Sequence, residues 1–502
     1  MMLLSQAAQA LNGRMVGEDV SFDAVSSDSR KLAQGDLFVA LRGENFDGYE
    51  FVAQAAQVGA AASMVNADSY KEHPLVLSSQ HSVLVVEDTR LALGQLAAYW
   101  RRQFDIPLVA ITGSNGKTTV KEMLACILSE AAGRSDAVLA TKGNLNNDIG
   151  MPLTLLRLNS THRYAVIEMG MNHLGEIDYL TRIAAPDVAL INNASGAHLE
   201  GLGSVKAVAQ AKGEIFAGMK PHGTAVINAD DEYAPLWREL AGVNQLLEFG
   251  LNPQADVCGT WHPNGGHPHG YGLQLEVTTP QGIFAVELQV PGIHNARNAL
   301  AATAAAIALN VPLEKIAAGL EKFSGVAGRL QRKAARHGAS LIDDTYNANP
   351  ASMRAAISVL AQAGGKRVLV LGDMGELGGD AAVFHAEIGN EARRAGIEKL
   401  YALGTLSHYA VSEFGSGAQH FERIEDLQDA LAKELDKNTT VLVKGSRFMK
   451  MERVVNHFEE GSTDRAVGHS TGLQAEKLLA VHPKTGNPAA GDHELSISRS
   501  KR

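Results

Sequence analysis

Residues 111–119 read ITGSNGKTT, with the apolar run IPLVA before them and the helix-like VKEMLACILSE after them. Strand, glycine-rich turn and helix in that order suit the gripping of phosphate. Backbone N–H groups around Gly113, Ser114, Asn115 and Gly116 can point at phosphate oxygens, and the following helix offers its positive end. Lys117 supplies a point charge for β- and γ-phosphates, and Thr118, followed by Thr119, can place a hydroxyl on Mg²⁺. Ile111 stands where the usual phosphate loop has its first glycine. GKTT behind a strand still predicts that the chain uses ATP.

A phosphate loop alone leaves kinase, GTPase, mechanical ATPase and ligase open. Glu168 ends the apolar run RYAVIEMG, the place where a carboxylate holds Mg²⁺ directly or through water. His198 lies in INNASGAHLEGLGS, behind another apolar run; its imidazole can ligate a metal, although a lone loop histidine more often has no role. Lys212, in AQAKGEIFAGM, reads by itself as an ordinary solvated helix lysine. Asn295 and Asn298 open a helix in HNARN and either approach a nucleotide or cap the turn. Arg329 in AGRLQR could close on a phosphate as a charge clamp. In IDDTYNANP, Asp344 could accept from ribose hydroxyls and Tyr346 could pack on a base, while NANP equally makes a good loop. Cys258 with His262, His267 and His269 fits no zinc spacing and reads as a surface turn.

The elements that must position these residues follow from patterning. From Ile106 onward, IPLVAIT, RYAVIEMG, APDVALINN and GTAVINADD alternate with helix-like segments, which predicts a mostly parallel sheet covered by helices. YGLQLEVTT and IFAVELQV alternate with period two and predict an antiparallel excursion. HNARNALAATAAAIAL predicts a long Ala-rich helix. A second α/β unit starts near 325, with strands SLIDDTY, KRVLVLGD, KLYALG and TTVLVKGS. VLVLGDMGELGG has the composition of a Rossmann-like ligand turn without the dinucleotide fingerprint. Before the phosphate loop, MMLLSQAAQALNGRM predicts an amphipathic helix, FVAQAAQVGAAASMV another helix, SVLVVEDT a buried strand and LALGQLAAYWRRQF a helix.

At 502 residues the chain exceeds one hydrophobic core, so several domains are expected. A net charge of −10 without a basic run disfavours a nucleic-acid partner. Two cysteines, Cys126 and Cys258, are too few for a disulfide framework. No window approaches the ~20 apolar residues of a membrane span. A cytoplasmic α/β enzyme is expected. The polar stretch from Gly461 predicts a disordered tail.

In this order, TGSNGKTT, EMGMNHLGEID, NNASGAHLEGLGS, AKGEIF, HNARNALAA and DDTYNANPASM closely resemble the Mur ligases, ATP-dependent amide-forming enzymes of peptidoglycan precursor synthesis. SSDSRKLAQGDLFVALRGENFDGYEF upstream is similar to the family's uridine-nucleotide-binding domain, and LGDMGELG with VLVKGSRFMKME downstream to its acceptor domain. Within the family, these downstream motifs resemble the members that join D-alanyl-D-alanine to UDP-N-acetylmuramoyl-tripeptide. No DNPR-type motif is present, which argues against the diaminopimelate- or lysine-adding relatives; a folylpolyglutamate-synthase-like ligase is the other alternative.

The resemblance implies three domains: residues 1–88 mixed α/β and UDP-sugar-binding, 89–322 a mostly parallel P-loop ATPase sheet, 323–460 a Rossmann-like acceptor domain, with 461–502 a tail. It implies an acyl phosphate made from the tripeptide carboxylate and ATP, then displacement by the dipeptide amine. By the family pattern His198 serves a second Mg²⁺, and Lys212 is carbamylated to become an anionic donor for it. Asn295, Arg329 and Asp344 become nucleotide contacts. Ser29, Arg30, Arg42 and Asp47 become candidates for the UDP-sugar. Asn144, Asn146 and Asn147, in KGNLNNDIGMP, meet the peptide, and Asn347, Asn349, Lys444 and Ser446 lie on the acceptor side. A monomer is expected.

Overall fold

A strand buried on both faces must be apolar at every position, because successive side chains point to opposite sides. Leu108–Thr112 shows the consequence: Leu108 and Ala110 join one core, Val109 and Ile111 the other. The same division runs through Ala165, Val166 and Ile167, and through Ala225, Val226 and Ile227. This computed structural model describes residues 1–43, 46–72, 81–195, 202–263 and 272–460. Contacts knit Met1–Glu459 into one unit. The expected tail, and with it any statement on its order, lies outside the described residues.

Three main sheets carry that unit. The central one has nine strands in the order Gly282–Leu288, Leu273–Thr279, Val257–Pro263, Gln245–Gly250, Thr224–Asn228, Val188–Ile191, Leu108–Thr112, Tyr164–Glu168, Val138–Ala140. Its first three form an antiparallel excursion and the rest pair in parallel, as the period-two stretches predict. One face is covered by the Ala-rich helix Ile293–Ala308, buried along almost its whole length, where small side chains let the helix lie close to the sheet. The other is covered by Met151, Ile177, Leu180 and the fully buried Trp237, in a core continuous with Leu37, Met64 and Leu84 of the N-terminal sheet.

The N-terminal sheet runs Arg14–Val16, Ser82–Val86, Ala62–Asn66, Leu37–Val39, Val25–Ser26, parallel except for the first pair. The amphipathic helix forms as Leu4–Leu11. FVAQAAQVGAAASMV is not one helix. It is Val52–Val58, then the buried strand Ala62–Asn66. Gly59, at φ 95°, ends the helix in the left-handed conformation that a glycine adopts without steric cost, and the apolar run beyond it is strand.

The C-terminal sheet is Rossmann-like, in the order Gln331–Ala334, Ser340–Asp344, Thr439–Lys444, Lys366–Gly372, Lys399–Leu403, Ala418–Phe421, with only the first strand antiparallel. Among the described residues no helix is long and apolar enough to cross a membrane.

Candidate active site

Parallel strands deliver their functional loops at one edge, their carboxyl ends. On the central sheet that edge gathers Gly113–Thr118 after one strand, Glu168 at the end of a second, and Asn192–Ser195 after a third. The phosphate loop is built against the last of these. Ser114 N–H donates to the Asn193 carbonyl at 2.9 Å, Asn115 N–H to Asn193 Oδ1 at 2.8 Å, and Ser195 N–H to Ser114 Oγ at 2.9 Å. Asn192 Nδ2 bridges the Asn115 carbonyl at 2.9 Å and Asn298 Oδ1 at 3.0 Å. Gly116 opens the helix Lys117–Ala132 at φ 80°, and a β-carbon there would overlap both Asn192 and Asn298. Only glycine satisfies both constraints.

Asn298 therefore supports the phosphate loop from below rather than capping its own helix, whose N-cap is Gly292. Asn295 Nδ2 donates to the Pro291 carbonyl at 2.8 Å and its Oδ1 accepts from Asn298 at 3.2 Å. Thr119 is buried in the first turn of the phosphate-loop helix.

Thr118 Oγ1 donates to Glu168 Oε2 at 2.9 Å. Glu168, 2% exposed, has its other oxygen bound by Asn146 Nδ2 at 3.0 Å. Asn146 also bonds Asn144 Oδ1 at 3.1 Å, and Asn147 Oδ1 accepts from Gly150 N–H at 2.8 Å, where the helix Gly150–Leu155 begins. Lys117 Nζ donates to the Gly113 carbonyl at 2.7 Å. Its surroundings hold its pKa below the usual lysine range: desolvation is the main cause and Arg329 adds to it, against the raising fields of Glu168 and Glu376. Lys212 is buried, and desolvation, then the charge of Lys117, pushes its pKa well down. The solvated-lysine reading of Lys212 is thereby corrected. His198, His267 and His269 lie outside the described residues. Cys258 is half-buried and His262 exposed, both on the strand Val257–Pro263. Among the described residues, no cluster of three His, Cys, Asp or Glu could hold a metal.

Loops of the C-terminal sheet reach into this group. Arg329 Nη2 donates to Thr118 Oγ1 at 2.9 Å, and its guanidinium lies 4.2 Å from the centre of the Tyr346 ring, within cation–π range. Tyr346 OH donates to Asn144 Oδ1 at 3.2 Å, and Asn349 Nδ2 to Asn115 Oδ1 at 2.9 Å. Asn349 is also the N-cap of Pro350–Ala361. Asp344 is buried. Desolvation pushes its pKa up, opposed first by Lys444, whose Nζ lies 2.8 Å away. Lys444 also donates to the carbonyl of the exposed Asn347 at 2.8 Å, and Ser446 Oγ donates to the Ala348 carbonyl at 3.1 Å.

Ser29, Arg30, Arg42 and Asp47 follow the carboxyl ends of two adjacent N-terminal strands, away from the phosphate loop in sequence but on the corresponding edge of their own sheet. Ser29 is half-buried and Arg30 pairs with Asp28 at 2.8 Å. Arg42 bridges Asp47 through the backbone, and Asp47 accepts from Tyr49 N–H at 2.9 Å and Ser69 Oγ at 2.8 Å.

His294, one residue before Asn295, has its pKa lowered to about 4 by burial and then by Lys444 and Arg297. Its folded value lies below the ordinary 6.5, so the unfolded chain binds the proton first and stability is lost as pH falls from 6.5 toward 4. His294→Gln should flatten that acid limb, measured as urea midpoints at pH 7 and pH 4.5. An unchanged difference between the two midpoints would show that His294 does not set it.

Family models match nearly the whole described chain: "Mur ligase family, catalytic domain" at residues 21–101, "Mur ligase middle domain" at 111–306 and "Mur ligase, glutamate ligase domain" at 328–447. The UDP-N-acetylmuramoyl-tripeptide–D-alanyl-D-alanine ligase of Escherichia coli K12 is 43% identical over 465 residues, covering 92% of this chain and 99% of that one. A crystal structure of MurF from Acinetobacter baumannii is similar with a TM-score of 0.81 at 39% identity, covering 90% of this chain and 97% of its own. The MurF ligase of Thermotoga maritima in complex with ADP superposes with a TM-score of 0.74 at 28% identity, over 88% of this chain and 98% of that one.

Proposed function

The chain belongs to the Mur ligase family, and on that premise we propose that it joins D-alanyl-D-alanine to UDP-N-acetylmuramoyl-tripeptide at the expense of ATP. One observation carries the reading at the site: Arg329, from the entry to the C-terminal lobe, lies on the phosphate-loop hydroxyl of Thr118. A ligase must bring an acid, a nucleotide and an amine to one point, and here two lobes already share it.

A carboxylate does not acylate an amine at neutral pH, because its oxygen is a poor leaving group. In the proposed sequence the tripeptide carboxylate attacks the γ-phosphorus and ADP leaves. The dipeptide amine then attacks the acyl carbon, and phosphate departs with the C–O bonding pair. Lys117, the loop N–H groups and Arg329 hold negative charge in place through both steps. The Nε of Arg329 is buried without a partner among the described residues, a donor suited to a phosphate oxygen. Asn144 and Tyr346, hydrogen-bonded across the lobes, border the path of the tripeptide.

Thr118 and Glu168 are hard oxygen donors 2.9 Å apart, a set that fits Mg²⁺; there the ion would neutralise the phosphates and favour their transfer. Lys212 fits carbamylation, since a buried amine kept neutral is the form that takes up CO₂. We assign Ser29, Arg30, Arg42 and Asp47 to the UDP-sugar, Asp344 and Asn295 to the nucleotide's setting, residues 1–88, 89–322 and 323–460 to the three working lobes, and the cytoplasm to a monomeric enzyme.

Phosphate release from ATP tests the reading, with D-Ala-D-Ala offered against diaminopimelate, lysine and glutamate. Release that needs both UDP-tripeptide and D-Ala-D-Ala is the expected result. Release independent of both would leave an ATPase of another kind, and release with diaminopimelate or lysine would move the chain to the amino-acid-adding branch.

A further inference from the structure

A buried ammonium costs desolvation, so a lysine inside the protein is there for the bonds it makes. Lys121, near the start of the phosphate-loop helix Lys117–Ala132, is 1% exposed. Its Nζ donates to the Thr141 carbonyl at 2.6 Å and lies 2.6 Å from Oε1 of the partly exposed Glu122. The first of these bonds points inward, at the end of a strand of the central sheet.

That strand, Val138–Ala140, pairs in parallel with Tyr164–Glu168, setting Leu139 opposite Ala165 and Ala140 opposite Val166. The next rung begins in register, with Thr141 N–H on the Val166 carbonyl at 3.1 Å. A regular parallel ladder would complete it by sending the Glu168 N–H to the Thr141 carbonyl. The Glu168 N–H goes instead to Thr141 Oγ1, at 2.9 Å, while the carbonyl holds the lysine. The strand ends there. The chain turns into the loop from which Asn146 Nδ2 reaches Glu168 Oε1 at 3.0 Å, its carbonyl accepting from Gly170 N–H at 2.9 Å. Thr118, three residues before Lys121 on the same helix face, donates to Glu168 Oε2 at 2.9 Å. The helix that grips phosphate therefore reaches this carboxylate residue twice, directly through Thr118 and indirectly through Lys121 and Thr141.

We infer that Lys121 is a positioning residue for Glu168: by taking the Thr141 carbonyl it turns the Thr141 hydroxyl onto the Glu168 backbone and fixes the carboxylate beside Thr118. This rests on the assignment of Mg²⁺ to Thr118 and Glu168 above. Without the ammonium, the Thr141 carbonyl is free to accept the Glu168 N–H and close the ladder. The hydroxyl then lets go, and the loop that carries Asn146 starts one residue later. Methionine fills a similar volume without a charge to desolvate, so the fold keeps its stability while the carboxylate loses its setting.

The test reads magnesium apart from turnover. The full chain is melted with ADP in EDTA and at rising Mg²⁺, and the magnesium-dependent part of the ADP shift gives an apparent constant for the ion. Lys121→Met should raise that constant by about tenfold or more, the usual cost of losing a group that orients a metal ligand. Its melting temperature without nucleotide, and its ADP shift in EDTA, should match the wild type. Thr141→Val leaves the carbonyl to the lysine but removes the hydroxyl, and should reproduce the defect; Thr141→Ser should recover the wild-type response. The Lys121→Met, Thr141→Val double variant should be no worse than the worse single, since both break one link. Magnesium constants at the wild-type level in Lys121→Met or Thr141→Val overturn the inference, as does a Lys121→Met that only melts lower. Additive defects in the double variant overturn it too, and so does the same defect in Glu122→Gln, which would move the cause to the charge pair. Should Lys121→Met fail to fold, the contrast between Thr141→Val and Thr141→Ser decides. A wild type whose ADP shift ignores Mg²⁺ would remove the magnesium assignment itself, and the positioning role with it.

Discussion

Lys117→Ala should lower ligation by roughly 10³-fold or more, the scale of losing one preorganised charge at a reacting anion, and leave the fold intact. Among the described residues the ammonium donates to the Gly113 carbonyl. Truncation removes that bond and part of a half-buried stem, and should cost about 1 kcal/mol of stability. The same desolvation that lowers the lysine's pKa makes its charge strong toward a phosphate, because the opposing field of water is absent. Lys117→Arg should not restore activity, since a planar guanidinium does not fit a site shaped for a point charge. Coupled phosphate release and a melting curve decide it. Activity within tenfold of wild type would mean that Arg329 and the loop N–H groups carry the phosphates without the lysine.

How far the site could be read from sequence depended on distance along the chain. The phosphate loop was legible because strand, turn, lysine and helix are contiguous, and the structure builds them as such. Its supports were not: Asn192, Asn193 and Ser195 come from a strand end about 80 residues on, and nothing in NNAS announces that its side chains hold the loop. Their one signal was position, a polar run following an apolar strand. The central strands Leu108–Thr112, Tyr164–Glu168, Val188–Ile191 and Thr224–Asn228 were legible because burial on both faces makes them almost wholly apolar, whereas Val138–Ala140 and the half-exposed Gln245–Gly250 were not anticipated. Gln331–Ala334 and Ala418–Phe421 lie at sheet edges, carry mixed residues, and were not anticipated. The reading of FVAQAAQVGAAASMV failed because alanines suit helix and buried strand alike, and only the left-handed Gly59 separates them. Lys444 and Ser446 show the converse: the resemblance offered them to the acceptor, yet both are buried and hydrogen-bonded within the protein.

Lys212→Met should abolish ligation, again by roughly 10³-fold if the side chain helps hold charge at the reacting phosphate, and should at the same time raise the melting temperature. The two effects follow from one fact. Lys212 is 2% exposed, and among the described residues the charge acting on it is the repulsive one of Lys117. Methionine fills a similar volume without a group to desolvate. The sign with pH is fixed by linkage. The folded pKa lies below the unfolded one, so within that window the unfolded chain holds a proton that the native state lacks, and native stability rises with pH. Methionine removes that slope, so its stabilising effect should be largest near neutrality and fade toward pH 10. A purely structural lysine would predict neither the loss of ligation nor its recovery. Recovery is the sharper measurement. Lys212→Ala opens space beside the phosphate loop, and a short carboxylate such as acetate or propionate, added in solution, should restore part of the activity by standing in for a carbamate. Bicarbonate should likewise restore wild-type enzyme prepared in CO₂-depleted buffer. Ligation by Lys212→Met at wild-type rates would end the carbamate proposal and leave the buried lysine without a catalytic part.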